Sequence, residues 1–330
     1  MRTPRHLLFA SIAAVIAACG SRTGLLVPLD FTTDSGIVDA RSDVILPHPD
    51  ATPPHDAGEE DAGEEDALPP IDVRVPEDVI VLSDCPDASS TFIYVISEAN
   101  NLYSFYPPSG QLELKGTIAC PDPGSTPFSM AVDRTGIAYI VFSPSGNLFR
   151  VSTATAACEP TGLVPNGEFG LTYGMGFSQN SGDAGETLYV ASDTSESLGT
   201  IDVLNGYTIT NIGPFNPPIS EAELTGTGGG GLFGFWQPRN GTGTDGTANI
   251  VQIDKTSAEV TNSSPLPGVD QGNGWAFAFW GGDFYTFTAP GGASTVVQRF
   301  SPADNSIVQV ATVDDVIVGA GVSTCAPQQQ

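Results

Sequence analysis

Histidine is nearly absent from this sequence, and the part that is expected to fold has none. The 330-residue chain contains three histidines, His6, His48 and His55. All three precede Cys85, where the composition changes to Gly, Thr, Ser, Val, Ile and aromatic residues. Ser-His-Asp hydrolysis, Cys-His catalysis and His-ligated zinc or copper are therefore excluded from the residues that follow.

Positive charge is also scarce. Lys and Arg number 11 against 38 Asp and Glu, which gives a formal net charge of -27. From residue 85 onward, two lysines and four arginines face 22 acidic residues. Because nucleic acids are bound largely through neutralisation of their phosphates by Lys and Arg, nucleic acid is excluded as a partner, and direct binding to an anionic membrane surface is disfavoured.

Long apolar runs are missing, apart from one at the N-terminus. Arg2 and Arg5 precede the apolar stretch Leu7–Ala18, which is too short to span a bilayer as a helix. A positive start, an apolar run and small residues are typical of a secretory signal. The tetrapeptide IAAC, which ends at Cys19, resembles the lipobox of bacterial lipoproteins.

This resemblance implies a signal peptide over residues 1–18 and a diacylglyceryl group, such as one carrying palmitate, on Cys19. Each buried CH2 contributes about 0.8 kcal/mol, so two or three acyl chains anchor a protein stably. The expected partner is then the lipid bilayer of a bacterial cell envelope. Gly20 stands where an inner-membrane lipoprotein would carry Asp, which favours the outer membrane. The alternative is an ordinary secretory signal with an incidental cysteine.

Residues 19–84 differ in composition from the rest of the chain. Gly20–Asp84 holds sixteen acidic residues and three arginines, with repeated Pro and a duplicated DAGEE unit. Such a segment cannot bury enough apolar surface to offset the entropy cost of ordering, so we expect a disordered acidic tether. The alternative is a weak metal-binding tract formed by His48, His55 and the eight carboxylates between residues 48 and 66.

The remaining sequence contains an internal repeat of about 45 to 50 residues with four short strands per unit, which indicates a β-propeller. The innermost strand of each unit is rich in small residues. The first unit, which starts at TFIYVIS, lacks this strand, and Val316–Thr324 supplies it. We therefore predict an all-β, five-bladed propeller over residues 85–325, closed by the C-terminal strand, with a tail over 326–330. A β-sandwich with long loops is the alternative.

The segment LYVASDTSESLGTIDVLNGYTITNI is similar to the YVTN type of propeller repeat. NLYSFYPPSG and LFRVSTATA resemble the third strand and turn of the broader WD-repeat-like superfamily. The Gly-His and Trp-Asp dipeptides of true WD repeats are absent. The chain resembles, as a whole, secreted propeller lipoproteins of Gram-negative bacteria that are themselves uncharacterised.

Four cysteines remain besides Cys19, and an even number in an exported protein indicates disulfides. Three pairings are possible. The blade assignment selects Cys85 with Cys325, which flank neighbouring strands, and Cys120 with Cys158, which lie on the outer strands of the first two blades. No C-x-x-C spacing supports a redox or zinc site.

Candidate ligand-binding residues come from loops expected to share one face of the ring. The acidic candidates are Glu98, Glu168, Asp193, Glu223 and Asp270. Their alternative role is that of solvated loop carboxylates. The aromatic candidates are Phe169, Tyr173, Trp236, Trp275 and Trp280, whose alternative role is core packing.

No cofactor is expected. Calcium is the one metal considered, because the loops Asn180–Glu186 and Asn240–Asn249 are rich in oxygen donors, although neither has the twelve-residue calcium-loop pattern. The glycine-rich run Thr225–Gly231 superficially resembles a phosphate-binding loop. It lacks the lysine of such loops, and close packing of an innermost strand explains it better.

Three functional hypotheses remain. The first is a membrane-anchored, non-catalytic platform that binds an envelope protein or a glycan. The second is a carboxylate-based, glycan-acting enzyme of the glycosidase type, which a cluster of three carboxylates within about 5 to 10 Å at the mouth of the channel would favour. The third is a structural spacer with no discrete ligand.

Overall fold

The computed structural model of this chain describes Cys85 and residues 91–182, 185–239 and 246–329. The signal peptide, Cys19 and nearly all of the tether lie outside the described residues, so the predictions for them stay predictions. Within the described part of the chain, no helix is long and apolar enough to cross a membrane.

The described residues form five four-stranded antiparallel sheets arranged as the blades of a propeller. Blade 1 contains β1 (Ile93–Ser97), β2 (Asn101–Tyr106), β3 (Gln111–Thr117) and, as its innermost strand, β20 (Ile317–Val322). Blade 2 contains β4 (Thr126–Val132), β5 (Ile137–Ser143), β6 (Leu148–Ser152) and β7 (Cys158–Pro160). Blade 3 contains β8 (Tyr173–Gln179), β9 (Glu186–Ser192), β10 (Ser197–Ile201) and β11 (Ile209–Pro214).

Blades 4 and 5 have the same order from the axis outward. Blade 4 contains β12 (Glu223–Gly226), β13 (Leu232–Trp236), β14 (Ala248–Ile253) and β15 (Val260–Leu266). Blade 5 contains β16 (Trp275–Trp280), β17 (Asp283–Thr288), β18 (Thr295–Ser301) and β19 (Ser306–Val313). The prediction of an all-β, five-bladed propeller is confirmed.

The ring is closed by pairing between the two ends of the described chain. β20 runs antiparallel to β1, with Ile93 opposite Val322 and Tyr94 opposite Gly321. This pairing supplies the strand that the first repeat lacks, as predicted. The polar edge of β1 is thereby covered by a strand of the same chain.

Small residues let the innermost strands approach one another closely. A Cβ added at Gly321 of β20 would lie 2.7 Å from the backbone nitrogen of Val132 in β4. One added at Gly319 would lie 2.8 Å from the nitrogen of Met130. Both separations are shorter than real Cβ contacts allow, so β20 and β4 can pack at this distance only because glycine occupies these positions.

Aromatic side chains fill the space between blades. Phe105 of blade 1 meets Phe287 of blade 5 edge-on, with ring centroids 5.6 Å apart. Phe235 of blade 4 and Phe277 of blade 5 have centroids 5.7 Å apart. Each interface buries large apolar area, so the blades stabilise one another rather than folding alone.

Two disulfides join neighbouring elements. Cys85 is bonded to Cys325, directly after β20, and Cys120 is bonded to Cys158, at the start of β7. The Cα atoms are 5.3 Å apart in both pairs. These are the pairings that the blade assignment selects.

All five innermost strands run in the same direction along the axis. We call the face at which they begin the front face, and the face at which they end the back face. The chain after β20 crosses the back face. There Thr324 donates to Glu186 Oε2 of blade 3 at 2.6 Å, and the Gly281 N–H of blade 5 donates to the carbonyl of Pro327 at 2.7 Å.

The glycine-rich run Thr225–Gly231 ends β12 and turns into β13. The Gly230 N–H donates to the carbonyl of Thr227 at 3.1 Å, and no helix follows the turn. A Cβ added at Gly228 would meet the carbonyl oxygen of Thr324, so this turn packs against the C-terminal segment. The run therefore serves close packing at the back face.

Candidate functional site

A pocket opens on the front face, around the axis of the ring. Its cavity is about 70 Å³ in volume, and blades 1, 2, 4 and 5 contribute to it. Its walls and floor are formed by Pro127, Phe128, Glu223, Asn273, Gly274, Trp275 and Val318. We call this cavity the front pocket.

The front pocket exists because the innermost strands begin at this level. Phe128 lies near the start of β4, Glu223 opens β12, and Trp275 opens β16. Asn273 and Gly274 belong to the loop that leads into β16. A Cβ added at Gly274 would lie 3.1 Å from the carbonyl oxygen of Ile317, so glycine allows this loop to press against β20.

Glu223 forms the acidic floor of the front pocket. Its side chain extends from blade 4 toward blade 2, where Ser129 Oγ donates to Glu223 Oε2 at 2.7 Å. The Met175 N–H of blade 3 donates to Ser129 Oγ at 3.1 Å. Three blades therefore meet at this hydrogen-bonded group, close to the axis.

Burial dominates the electrostatics of Glu223, which is only 3% exposed. Removal from water raises the pKa of its carboxyl well above the usual value, and the negative charge of Asp193 raises this pKa further. The hydrogen bond from Ser129 acts in the opposite direction. The outcome is a carboxyl that holds its proton to higher pH than an exposed glutamate.

Asp193 is a second perturbed acid beside the front pocket. It follows β9 and is partly buried, and burial raises its pKa to about 7. The charge of Glu221 also raises the pKa of Asp193, whereas a hydrogen bond from Thr172 and the charge of Arg239 lower it. Asp193 therefore titrates near neutrality, although it does not line the pocket.

Trp275 provides an aromatic wall of the front pocket and is stacked with a cation. The guanidinium carbon of Arg239 lies 4.5 Å from the centroid of the Trp275 ring. The same guanidinium forms an ion pair with Glu221, with 2.6 Å between Nε and Oε2. Arg239 thus holds the indole in place from outside the pocket while its charge is balanced by Glu221.

The carboxyl groups of the front pocket can be compared with those that a glycosidase uses. A glycosidase needs two carboxyl groups that face the scissile bond. Among the described residues that line the front pocket, Glu223 is the one carboxyl group. Asp193 is close enough to affect the pKa of Glu223, but it lies outside the lining.

The structure places the other acidic candidates on the front face, as expected from the loops that carry them. Glu98, Glu168 and Asp270 are exposed, and none of them lines the front pocket. Glu98 is in the turn between β1 and β2, whereas Glu168 and Asp270 precede β8 and β16.

Most of the aromatic candidates also lie outside the lining of the front pocket. Tyr173 is 1% exposed and packs in the core between blades 2 and 3, together with Phe169. Trp280 is buried and donates from Nε1 to the carbonyl of Thr91 at 2.8 Å. Trp236 packs against the core between blades 3 and 4. Trp275 is therefore the aromatic candidate that the structure brings together with Glu223.

Sequence reasoning missed several pocket residues. These are Pro127, Phe128, Asn273, Gly274 and Val318, together with Ser129 beneath the floor. The repeat alignment could have indicated Phe128, because it occupies the same level of its blade as Glu223. Nothing in the sequence links Ser129 to Glu223, because they are 94 residues apart and belong to blades that are not neighbours.

No group of three or more His, Cys, Asp or Glu residues that could hold a metal ion occurs in the part of the chain that the structure describes. The two loops considered for calcium are only partly within that part, because residues 183–184 and 240–245 lie outside it.

Comparisons with known proteins give structural similarity without a family. No family model matches the chain, and no curated protein matches it. A nidogen/laminin complex chain is 11% identical, with coverage of 73% of this chain and 100% of that chain and a TM-score of 0.46.

A virginiamycin B lyase from Staphylococcus aureus is 14% identical, with 68% of this chain and 70% of that chain covered and a TM-score of 0.37. A protein of unknown function from Bacteroides caccae is 10% identical, with 70% and 98% covered and a TM-score of 0.40. None of these similarities assigns a residue, an activity or a partner to this chain.

Proposed function

We propose that this protein is a lipid-anchored propeller of the bacterial envelope whose front face is a non-catalytic binding platform for an envelope protein or a glycan. The observation that carries this proposal is the front pocket, which joins a buried carboxyl, an amide and an aromatic wall at the axis of a rigid ring. Concave sites with a few polar groups among apolar walls are typical of binding sites.

The position of Cys85 supports the same function. Cys85 is bonded to Cys325 directly after β20, so the segment from the proposed anchor reaches the ring at its back face. The front pocket lies at the opposite end of the innermost strands. In the proposed arrangement, the chain therefore enters the ring at the face opposite the front pocket.

The anchor is tested with Cys19→Ser, for which we expect release from the membrane because the acyl chains hold this acidic protein there. Detergent-phase partitioning of the processed protein measures the effect, with Ser21→Ala as the matched control. Continued partitioning of the Cys19→Ser protein after signal removal would contradict the anchor.

The platform is tested with the mature, unlipidated chain and two sets of ligands, envelope proteins and peptidoglycan fragments from the source bacterium. We expect Trp275→Ala to weaken binding by about tenfold or more, since buried aromatic residues often dominate interfaces. Leu204→Ala is the control, because Leu204 is 87% exposed in the turn between β10 and β11, away from the front face.

Equal binding by wild type, Trp275→Ala and Leu204→Ala would place the interface elsewhere. Release of sugar products that stops with Glu223→Gln would instead support the carboxylate-based enzyme. Both outcomes are read from the same samples.

A further inference from the structure

The size of the front pocket limits what it can hold. Sites for drug-sized ligands are about 300 to 1,000 Å³, whereas this cavity is about 70 Å³. Since about 10 to 15 Å³ of such volume holds one water molecule, the cavity has room for a few waters or for the end of a side chain rather than for a sugar ring. The occupant is therefore the tip of a longer group that enters from the front face.

The residues that line the front pocket determine which chemical group can occupy it. Glu223 at the floor offers carboxyl oxygens, and Asn273 offers an amide at the rim. Trp275 and Phe128 present aromatic groups, and no Lys or Arg is among the described lining residues. A carboxylate beneath aromatic groups is the combination that stabilises an organic cation.

Charge around the pocket favours the same ligand. The chain has a formal net charge of -27. The nearest cation, Arg239, lies outside the pocket and is paired with Glu221 at 2.6 Å. Clefts lined by one sign of charge attract ligands of the opposite sign and speed their association.

We propose that the front pocket binds the primary ammonium group at the end of a lysine side chain of a partner protein. This inference rests on the proposed binding function and specifies its ligand. The ammonium group pairs with Glu223, while the four-carbon stem of the lysine packs along Pro127, Phe128 and Val318. A basic partner protein is the occupant that complements the acidic surface.

Binding has a proton balance that can be measured. Glu223 is buried and retains its proton to unusually high pH when the pocket holds no cation. An ammonium group beside it favours the ionised form, so Glu223 releases a proton to the buffer when the lysine enters. Ser129 continues to donate to Oε2 in both states.

Other charged groups face this site and modify the effect. The negative charge of Asp193 raises the pKa of Glu223 and also attracts the ammonium group. Glu221 and Arg239, next to β12 and β13, offset each other. We therefore expect affinity to rise with pH over the range in which Glu223 of the free protein is protonated.

The experiment uses the mature full chain and a short peptide with one lysine and blocked ends. Titration calorimetry in two buffers with different ionisation enthalpies measures affinity and proton release together. We expect binding with proton release for the lysine peptide and at least about tenfold weaker binding for the same peptide with an acetylated lysine ε-amine.

Two variants and a control separate the role of Glu223 from general damage. Glu223→Gln keeps an acceptor for Ser129, so we expect a normal fold with weak binding and no proton release. Trp275→Leu should weaken binding while proton release per bound peptide remains. Asp314→Asn, which alters an exposed carboxylate in the loop before β20, should leave both quantities unchanged.

Equal affinity for the lysine and acetyl-lysine peptides would overturn the inference, as would proton release that persists in Glu223→Gln. Absence of binding by the lysine peptide, together with binding of a peptidoglycan oligosaccharide that is lost in Trp275→Ala, would overturn it in favour of a glycan ligand and leave the proposed function intact. Partner binding that both Trp275→Ala and Glu223→Gln retain would instead contradict the proposed function itself.

Discussion

At the scale of single residues, burial has a larger effect than any cation on the pKa of two acids at the front side of the ring. Glu223 is held by a hydroxyl donor, Ser129, and Asp193 by Thr172. Transfer of a carboxylate from water to a less polar environment is unfavourable, so folding favours the protonated form of each.

Asp193 gives a prediction about pH and stability. Its pKa of about 7 in the folded protein is above its ordinary value of 3.8. The stabilisation that the protonated form provides is therefore complete below about pH 4 and is lost as the pH rises through 7. We expect the free energy of unfolding of wild type to fall, relative to Asp193→Asn, by up to about 4 kcal/mol between pH 4 and pH 7.5, since each pKa unit corresponds to about 1.4 kcal/mol.

Urea unfolding at several pH values measures this difference. Asp270→Asn is the matched control, because Asp270 is an exposed carboxylate on the same face. A difference between wild type and Asp193→Asn that does not change with pH would contradict the cause assigned to the raised pKa.

At the scale of elements, β20 supports more of the fold than its six residues suggest. It pairs with β1 along its length and packs against β4 and β16 on either side. Most of its residues are buried. An innermost strand therefore holds together one blade and two interfaces between blades.

Deletion of residues 316–330 should abolish cooperative folding, because it exposes the edge of β1 and opens the ring. Circular dichroism during urea titration measures the loss. Deletion of residues 20–84, the predicted tether, is the control and should leave the unfolding midpoint unchanged. A truncated chain that still unfolds in one sharp transition would mean that β20 is dispensable.

The elements also show what could be predicted from the sequence. The boundaries of the blades could be predicted, because inner strands that contain small residues, such as β20, recur between strands with alternating burial, such as β14. The direction in which the first side chain of an innermost strand points could not be predicted. Tyr173 and Glu223 each open an innermost strand but lie in opposite phases of the side-chain alternation, so Tyr173 points into the core between blades and Glu223 lines the pocket.

The reason is that the first residues of β8 and β12 have different neighbours. Gly174 and Gly176 of β8 face β12 so closely that no side chain fits there, and the large residues of β8 therefore point to blade 2. In β12, Leu224 packs toward blade 3, which leaves Glu223 free to extend across the axis. Such choices depend on contacts between blades, and no local pattern in the sequence encodes them.

At the scale of the whole molecule, closure depends on both noncovalent and covalent contacts. The Cys85–Cys325 bond spans 240 residues, and the Cys120–Cys158 bond spans 38. In the loop-entropy model, the longer loop restricts the unfolded chain more.

This difference predicts the effect of removing each bond. We expect Cys85→Ala with Cys325→Ala to lower the free energy of unfolding by about 5 kcal/mol, and Cys120→Ala with Cys158→Ala by about 4 kcal/mol, as upper values of the model. Urea unfolding of both double variants under the same conditions measures the order. A larger loss for the shorter loop would show that contacts in the native state outweigh the entropy of the unfolded chain.

The pairing of β20 with β1 also has a consequence for the timing of biosynthesis. Among the strands that the structure describes, β1 is the first and β20 the last to be synthesised, so blade 1 waits for its partner until the other four blades have been made. Contacts this distant in sequence form slowly, which suits the proposed export of the chain before it folds. A prematurely terminated product keeps an unpaired β1 edge, and that edge distinguishes it from the finished protein for any chaperone or protease that binds exposed strands.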